Sequence, residues 1–403
     1  MELVLKGGKR HMLKTIRRMW PLLVLGFLVN TAYSVMWPLT TIYLHGNLHL
    51  NLVQSGLILA AYSGCNVLGG YLGGVLSDRY SAKTVGLGML AALVIDAGFG
   101  FIWNGIIAYP IVLIIFGLLT GGMLTLITAI TAQLSHNDSK LFNLLYIFIN
   151  VGLVVGTASI GVLFHHSLRP IFTLLIVCYL GAFALWRWKA AEFEVSGTDE
   201  TITPSTQQTT TNRKKLPVAS LVIVLLTLVF MWITYAQWMS NVSVYIQDEG
   251  LGIKLYSYLW VYNGILLIIV QALMTKASHV RIIPWQILLG LLAIAFSFLL
   301  MTTTSGIIVL FTAMTLLTVG EAVYVPGVPA LINAYTVGNE GKYQGLVNSF
   351  SSVGKALGPV LGGVVIGQFT SFKFLFFLCA IVDFIVAAGF VLGVAPLLRR
   401  HSK

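Results

Sequence analysis

Four ionisable side chains lie deep inside long apolar stretches of this 403-residue chain: Asp96, Glu321, Lys355 and Asp383. A charge at the centre of a bilayer costs about 2.5–3.5 kcal/mol on insertion scales, so each needs a partner or a task. Glu321 stands about halfway along Thr318-Val319-Gly320-Glu321-Ala322-Val323-Tyr324-Val325-Pro326-Gly327-Val328-Pro329. Pro326 and Pro329 remove backbone donors and permit a kink, while Gly320 and Gly327 thin the helix around the acid. Apolar surroundings penalise the ionised carboxylate, which suits a group that takes up and releases a proton. The plainer alternative is a neutral acid hydrogen-bonded within the bundle. Lys355 and Asp383 fall at comparable depth in successive stretches, which allows two readings: a buried ion pair, or a Lys355 that faces a cavity and meets Glu321 or an anionic substrate.

Other chemistries find little support. The eight histidines, His11, His45, His49, His136, His165, His166, His279 and His401, all fall in loops or tails, against a histidine relay or a buried metal. The three cysteines lie in separate apolar stretches and read as small packed residues. Nothing resembles a serine, histidine and acid set, so the expectation is a non-enzyme without cofactor or metal. What remains is a binding surface. Asn30, Tyr33 and Trp37 share the first stretch, Asn66 and Asn150 add amides in the second and fifth, and Tyr235, Gln237, Trp238 and Asn241 cluster in the seventh. Asn263 and Gln271 follow in the eighth, about two helical turns apart. A single buried amide is usually interhelical glue; the collection suggests an amphipathic cavity for aromatic or apolar substrates.

The elements that must position these residues follow from composition. With 57% hydrophobic and 9% charged residues, the chain is far from the roughly one-quarter charged content of soluble domains. At about 20 apolar residues per crossing, the spans read near 20–44, 52–76, 84–103, 108–134, 142–164 and 170–189, then 217–246, 256–275, 284–302, 306–334, 343–367 and 374–396. The first is too long for a signal-peptide core and reads as a retained span. The fold class expected is an all-α polytopic membrane protein, twelve helices in two pseudo-symmetric six-helix bundles. Residues 1–189 form the first half, a Thr-, Ser- and Gln-rich flexible linker covers 190–216, and 217–403 form the second.

The net charge of +11 would suggest nucleic acid in a soluble protein. Here its distribution decides otherwise: with a cytoplasmic N-terminus, only Arg169, Lys254 and Lys373 fall outside, apart from Lys355 within its span. Both termini are therefore expected in the cytoplasm, with the lipid bilayer rather than nucleic acid as the partner, and the chain as a monomer. The two halves also repeat. Gly152 and Gly354, Gly156 and Gly358, Gly161 and Gly363, Tyr33 and Tyr235, Tyr43 and Tyr245, and Lys140 and Lys342 are each 202 apart. Duplicated halves imply a substrate site at their interface near the midplane. Gly152, Gly156, Gly354, Gly358 and Gly362, with Pro359, are expected at close helix contacts.

Between the second and third spans runs Gly73-Gly74-Val75-Leu76-Ser77-Asp78-Arg79-Tyr80-Ser81-Ala82-Lys83. An apolar helix can end at Ser77, with Arg79 and Lys83 at the cytoplasmic surface; Asp78 is then either a solvated loop charge or a conformational latch docked on the N-terminus of a neighbouring helix. This loop resembles the Gly-x-x-x-Asp-Arg-x-Gly-Arg-Lys pattern of the major facilitator superfamily; Gly74, Asp78, Arg79 and Lys83 match, while Ser81 and Ala82 depart. Tyr235-Ala236-Gln237, Asn263-Gly264 with Gln271, Gly320-Glu321 with Pro326, and Gly358-Pro359 with Gly362-Gly363 resemble the twelve-span drug:proton antiporters, including bacterial multidrug exporters. Two features depart from that family: Gly117 stands where it has a span-four arginine, and Thr157 replaces the span-five proline.

The resemblance implies alternating access, a lipophilic small-molecule substrate, protons handled at Glu321, a bacterial plasma-membrane location, and a structural Asp96 on a peripheral third helix. An uptake or lipid-flipping transporter of the same fold is the nearest rival. A membrane-embedded enzyme or receptor is the rival of a different class.

Overall fold

The computed structural model describes residues 2–135, 139–164, 167–193, 217–274, 283–304, 306–335 and 340–399. Among them every regular element is helical. α1 (Glu2–Ile42) ends in a π-helical turn, Tyr43–Asn47, and is followed by α2 (Leu52–Arg79), α3 (Ala82–Ile102), α4 (Ala108–Ser135), α5 (Ser139–Leu163) and α6 (Arg169–Phe193). Then come α7 (Val218–Met239), α8 (Asn241–Asp248), α9 (Ile253–Met274), α10 (Ile283–Met301), α11 (Ile307–Tyr335), α12 (Glu340–Phe369) and α13 (Phe372–Arg399). Among the described residues, eleven segments are long and apolar enough to cross a membrane, and Ile147–Leu163 on α5 is a shorter apolar one. The expected all-α membrane architecture is the one observed.

Local chemistry explains the helix ends. Asn51 and Gln54 cap α2 reciprocally: the Gln54 amide donates to Asn51 Oδ1 at 2.8 Å, and the Asn51 amide to Gln54 Oε1 at 3.1 Å. Ser81 caps α3 by accepting from the Thr84 amide at 3.3 Å. That gives one residue departing from the family loop pattern a structural job of its own. α2 runs on to Arg79, two residues past the end expected at Ser77. The side chain of Asp78 lies outside the described residues, as do those of Lys140 and Lys342 and most of the expected linker. At Gly74 an added Cβ would meet nothing within 4 Å, whereas at Gly73 it would meet the Gly122 backbone. Lys83 contributes its carbonyl, which accepts from Trp186 Nε1 at 3.3 Å.

The seventh span is not one helix. Ser240, at φ −120° and ψ −75°, separates α7 from α8. The carbonyls of Trp238 and Met239, left short of helical partners there, accept from the Tyr256 hydroxyl of α9 at 3.1 Å each. Tyr256 thus supplies what the break removes. α8 then closes through Gly250 and Gly252, whose φ of 72° and 75° suit glycine.

The chain divides into two compact units. One comprises Met1–Leu39 and Ala61–Ile202; the other comprises Thr40–Ala60 and Thr203–Lys403. The start of α2, up to Ala60, therefore belongs with the second unit, because Gly56 lies against the backbone of Pro359 and Val360, and Gly363 against that of Leu52 and Val53. Within each unit the same pair of glycines sets the same helix contact. In the first, α5 approaches α1 with Gly152 at the Phe27 carbonyl and Gly156 at the Thr31 carbonyl. In the second, α12 approaches α7 with Gly354 at the Val229 carbonyl and Gly358 at the Ile233 carbonyl. Both partners of each contact shift by 202 residues, so the repeat read from sequence is a repeat of packing. A Cβ at any of these glycines would meet backbone that cannot move aside.

Candidate functional site

α11 places Glu321 on its inner side, three residues beyond Thr318. The Thr318 hydroxyl donates to the Met314 carbonyl at 2.7 Å, a bond within its own helix. Its only hydrogen is spent, so Thr318 must accept from Asn263 of α9, whose Nδ2 lies 2.8 Å away. That fixes which end of the Asn263 amide faces α11. The same nitrogen then donates to Glu321 Oε2 at 3.2 Å. From α7, Tyr235 stands beside the Glu321 carboxyl and interacts with it. Neutral polar groups from two helices, one of them a direct donor, thus converge on one half-buried acid.

Lys355 of α12 is half-buried as well, and Glu321 attracts it through space. Its Nζ rests 3.8 Å from the centre of the Trp232 ring. Trp232 packs edge-on against Tyr235 at 5.0 Å between centroids, Tyr235 meets Trp260 at 6.4 Å, and Trp260 meets Tyr256 at 6.2 Å. The ammonium therefore sits at one end of an aromatic wall whose other polar boundary is Glu321. Of the two arrangements open from sequence, the geometry adopts the Glu321 side. Asp383 is fully buried on α13, with Oδ1 hydrogen-bonded to the Thr234 hydroxyl at 2.8 Å and Oδ2 unpartnered. Among the described residues Lys355 and Asp383 form no ion pair, because α7 stands between them with Trp232 turned to the lysine and Thr234 to the aspartate.

The other expected cavity residues fall into different surroundings. Gln237 and Asn241 are buried at the contact of α7 and α8 with α12: Gln237 Nε2 donates to the Gly358 carbonyl at 2.7 Å, and Asn241 Nδ2 to Gln237 Oε1 at 2.6 Å. A Cβ at Gly362 would strike both amides. Trp238 is buried against Phe298. Gln271 is half-buried near the end of α9. In the first unit, Asn30 ties α1 to α5 by donating to the Ile149 carbonyl at 2.7 Å, and Asn150 is half-buried on α5. Tyr33 and Trp37 both pack on Tyr62, at 6.4 and 5.6 Å between centroids. Asp96 is buried on α3 with Oδ2 unpartnered. Thr318, Trp232 and Trp260 are site residues that sequence reading passed over. Thr318 carries a findable signal, since it stands one turn before Glu321 on the same helix.

Comparison with known proteins places this geometry in a family. The model of the Major Facilitator Superfamily matches residues 22–311 and 284–403. The MFS-type transporter YttB of Bacillus subtilis (strain 168) is 32% identical over 356 residues, covering 86% of this chain and 88% of that protein. YqjV of the same organism, also MFS-type, is 23% identical over 360 residues, covering 87% and 86%. Among solved structures, the peptide transporter POT superposes with a TM-score of 0.79 at 14% identity over 95% of each chain, which is a likeness of fold.

Proposed function

This chain belongs to the major facilitator superfamily, and on that premise we propose that it exports lipophilic, drug-like compounds across the cell membrane in exchange for protons handled by Glu321. That it is a multi-pass membrane transporter follows from the family and its relatives. The observation that carries the finer reading is the placing of Glu321: a half-buried acid midway along α11, hydrogen-bonded by Asn263, with Tyr235 beside it and no cation in direct contact among the described residues. A carboxyl held by neutral donors can exist in either protonation state without the bundle losing its packing. An acid locked into an ion pair could not discharge so readily. The aromatic wall of Trp232, Tyr235 and Trp260 supplies the apolar contact surface that a lipophilic substrate requires. In this reading the two halves alternate access and both termini face the cytoplasm.

The test is transport in proteoliposomes under an imposed pH gradient, screened first against lipophilic dyes and then against lipids. A substrate whose movement follows the proton gradient in the wild type and not in Glu321→Gln supports the reading. Gradient-driven movement that survives the substitution contradicts it.

A further inference from the structure

The surroundings of the Lys355 ammonium are those of a cation seat. The Trp232 face lies 3.8 Å beneath it, the Tyr235 and Trp260 rings continue the wall, and Glu321 supplies the negative charge. The nearby amide donor is committed elsewhere, since Asn263 Nδ2 is spent on Thr318 and Glu321, and Tyr235 is turned to Glu321. An anion placed here would meet the negative faces of the rings and a carboxyl; a cation meets attraction from both. α12 packs against α7, α8, α11 and α13, and against the start of α2, which carries no titratable side chain over residues 52–60. Of the titratable groups with described side chains on those helices, Tyr235 and Glu321 face Lys355, Tyr324 is bonded to Thr227 and Asp383 to Thr234, Tyr245 packs on Phe372 and Phe376, Asp248 ends α8, Lys373 is exposed at the start of α13 and Cys379 is buried on it. No second cation shares the seat among the described residues.

We propose that the aromatic wall of Trp232, Tyr235 and Trp260, closed by Glu321, is a binding site for an organic ammonium, and that Lys355 is its tethered occupant, which a ligand cation must replace. Two like charges do not fit one aromatic face beside one carboxylate. Entry of a cationic ligand therefore requires Lys355 to give its proton to solvent, R-NH3+ becoming R-NH2 and H+, so one positive charge enters as one leaves. Lys355 then stands beside Glu321 as a second group that exchanges protons with substrate. This rests on the reading of Glu321 as an acid that can ionise, but it concerns binding alone and is testable without a gradient.

Binding of benzyltrimethylammonium to purified protein in lipid nanodiscs, followed by tryptophan fluorescence and calorimetry, separates the possibilities. Lys355→Met vacates the seat and should tighten binding about tenfold, the scale of a desolvated cation on an aromatic face. Lys355→Arg keeps a cation that cannot deprotonate and should abolish binding. The wild type should release about one more proton per ligand than Lys355→Met in weakly buffered solution, the balance expected from the exchange step. Lys355→Gln serves the same comparison if the methionine variant fails to fold. Weaker binding in Lys355→Met or Lys355→Gln, or undiminished binding in Lys355→Arg, overturns the proposal. So does a lipophilic sulfonate that binds the wild type and is lost on removing the lysine, which would make Lys355 an anchor for anions. Failure of Glu321→Gln to abolish gradient-driven transport would leave this result standing, so the two readings fail separately.

Discussion

The Asn66–Thr120 contact of the first unit and the Asn263–Thr318 contact of the second are built from the same parts. In each, a threonine donates to a carbonyl of its own helix, Thr120 to Phe116 and Thr318 to Met314, and then accepts from an asparagine on the neighbouring helix. The difference lies one turn further on. Asn66 spends its remaining reach on the Gly117 carbonyl at 3.1 Å, and the residue three beyond Thr120 is the buried Met123. Asn263 reaches Glu321 instead. A duplicated scaffold has kept one latch as packing and made the other the holder of an acid. Likewise Tyr33 packs against Tyr62, whereas Tyr235, its counterpart 202 residues on, faces a carboxyl and an ammonium-bearing wall.

The harshest way to break that comparison is to move the acid. Met123→Glu places a carboxyl at the register of Glu321 but in an apolar setting without the tyrosine and lysine, and should cost about 4 kcal/mol of stability. Thermal unfolding in detergent would read it, and a near-neutral result would mean the first unit has polar space beside Met123. The matched glycines offer a sharper comparison. Gly152→Ala and Gly354→Ala press a methyl on backbone in the same register, and each should cost about 2 kcal/mol. A difference well beyond that between the two variants would show that the shared register is not a shared constraint.

A smaller effect separates the two latches. Asn263→Leu removes a hydrogen bond to an ionisable group and should cost about 1.5 kcal/mol, along with a displaced pH profile of transport. Asn66→Leu loses only neutral bonds, for about 1 kcal/mol, with the pH profile kept. Equal pH profiles in the two variants would deny Asn263 its positioning role. The smallest effect expected is a coupling energy. Because Lys355 and Asp383 occupy opposite sides of α7, the losses from Lys355→Met and Asp383→Leu should add to within about 0.5 kcal/mol. Partial rescue in the double variant would restore the ion pair between them.

How much of this was legible from sequence depends on the range of the interaction. The apolar helices were, because each is a local run of apolar residues: among the described residues, eleven of the twelve expected stretches are long and apolar enough to cross, and the fifth is a shorter apolar run. The repeat was legible where loop lengths match, and the contacts of Gly152 and Gly156 with α1 recur 202 residues on between α12 and α7, although the Gly26 contact with α5 has no such counterpart, position 228 being a leucine. It was not legible for the latches: Asn66 and Asn263 are 197 apart and Thr120 and Thr318 are 198 apart, so a constant offset passes over them. The break at Ser240 leaves no mark in hydropathy, since its cost is met by Tyr256 from another helix. Glu321 was legible as a lone acid in an apolar run. Its holders were only partly so, and the seat of Lys355 on Trp232, formed across 123 residues of chain, was not. Gln237 and Asn241 drew notice as polar residues in a span, and their spacing of one helical turn is the spacing of their mutual bond.

If Glu321 handles the proton, one pair of measurements on the same liposomes will show it. Reconstituted Glu321→Gln should still exchange labelled substrate for unlabelled substrate across the membrane with no gradient present, because glutamine keeps the shape and most of the hydrogen bonding offered to Asn263 and Tyr235. Under an imposed pH gradient the same liposomes should show no uphill accumulation, while the wild type accumulates. Uphill accumulation by Glu321→Gln at the wild-type level would contradict that role and leave Glu321 a structural acid.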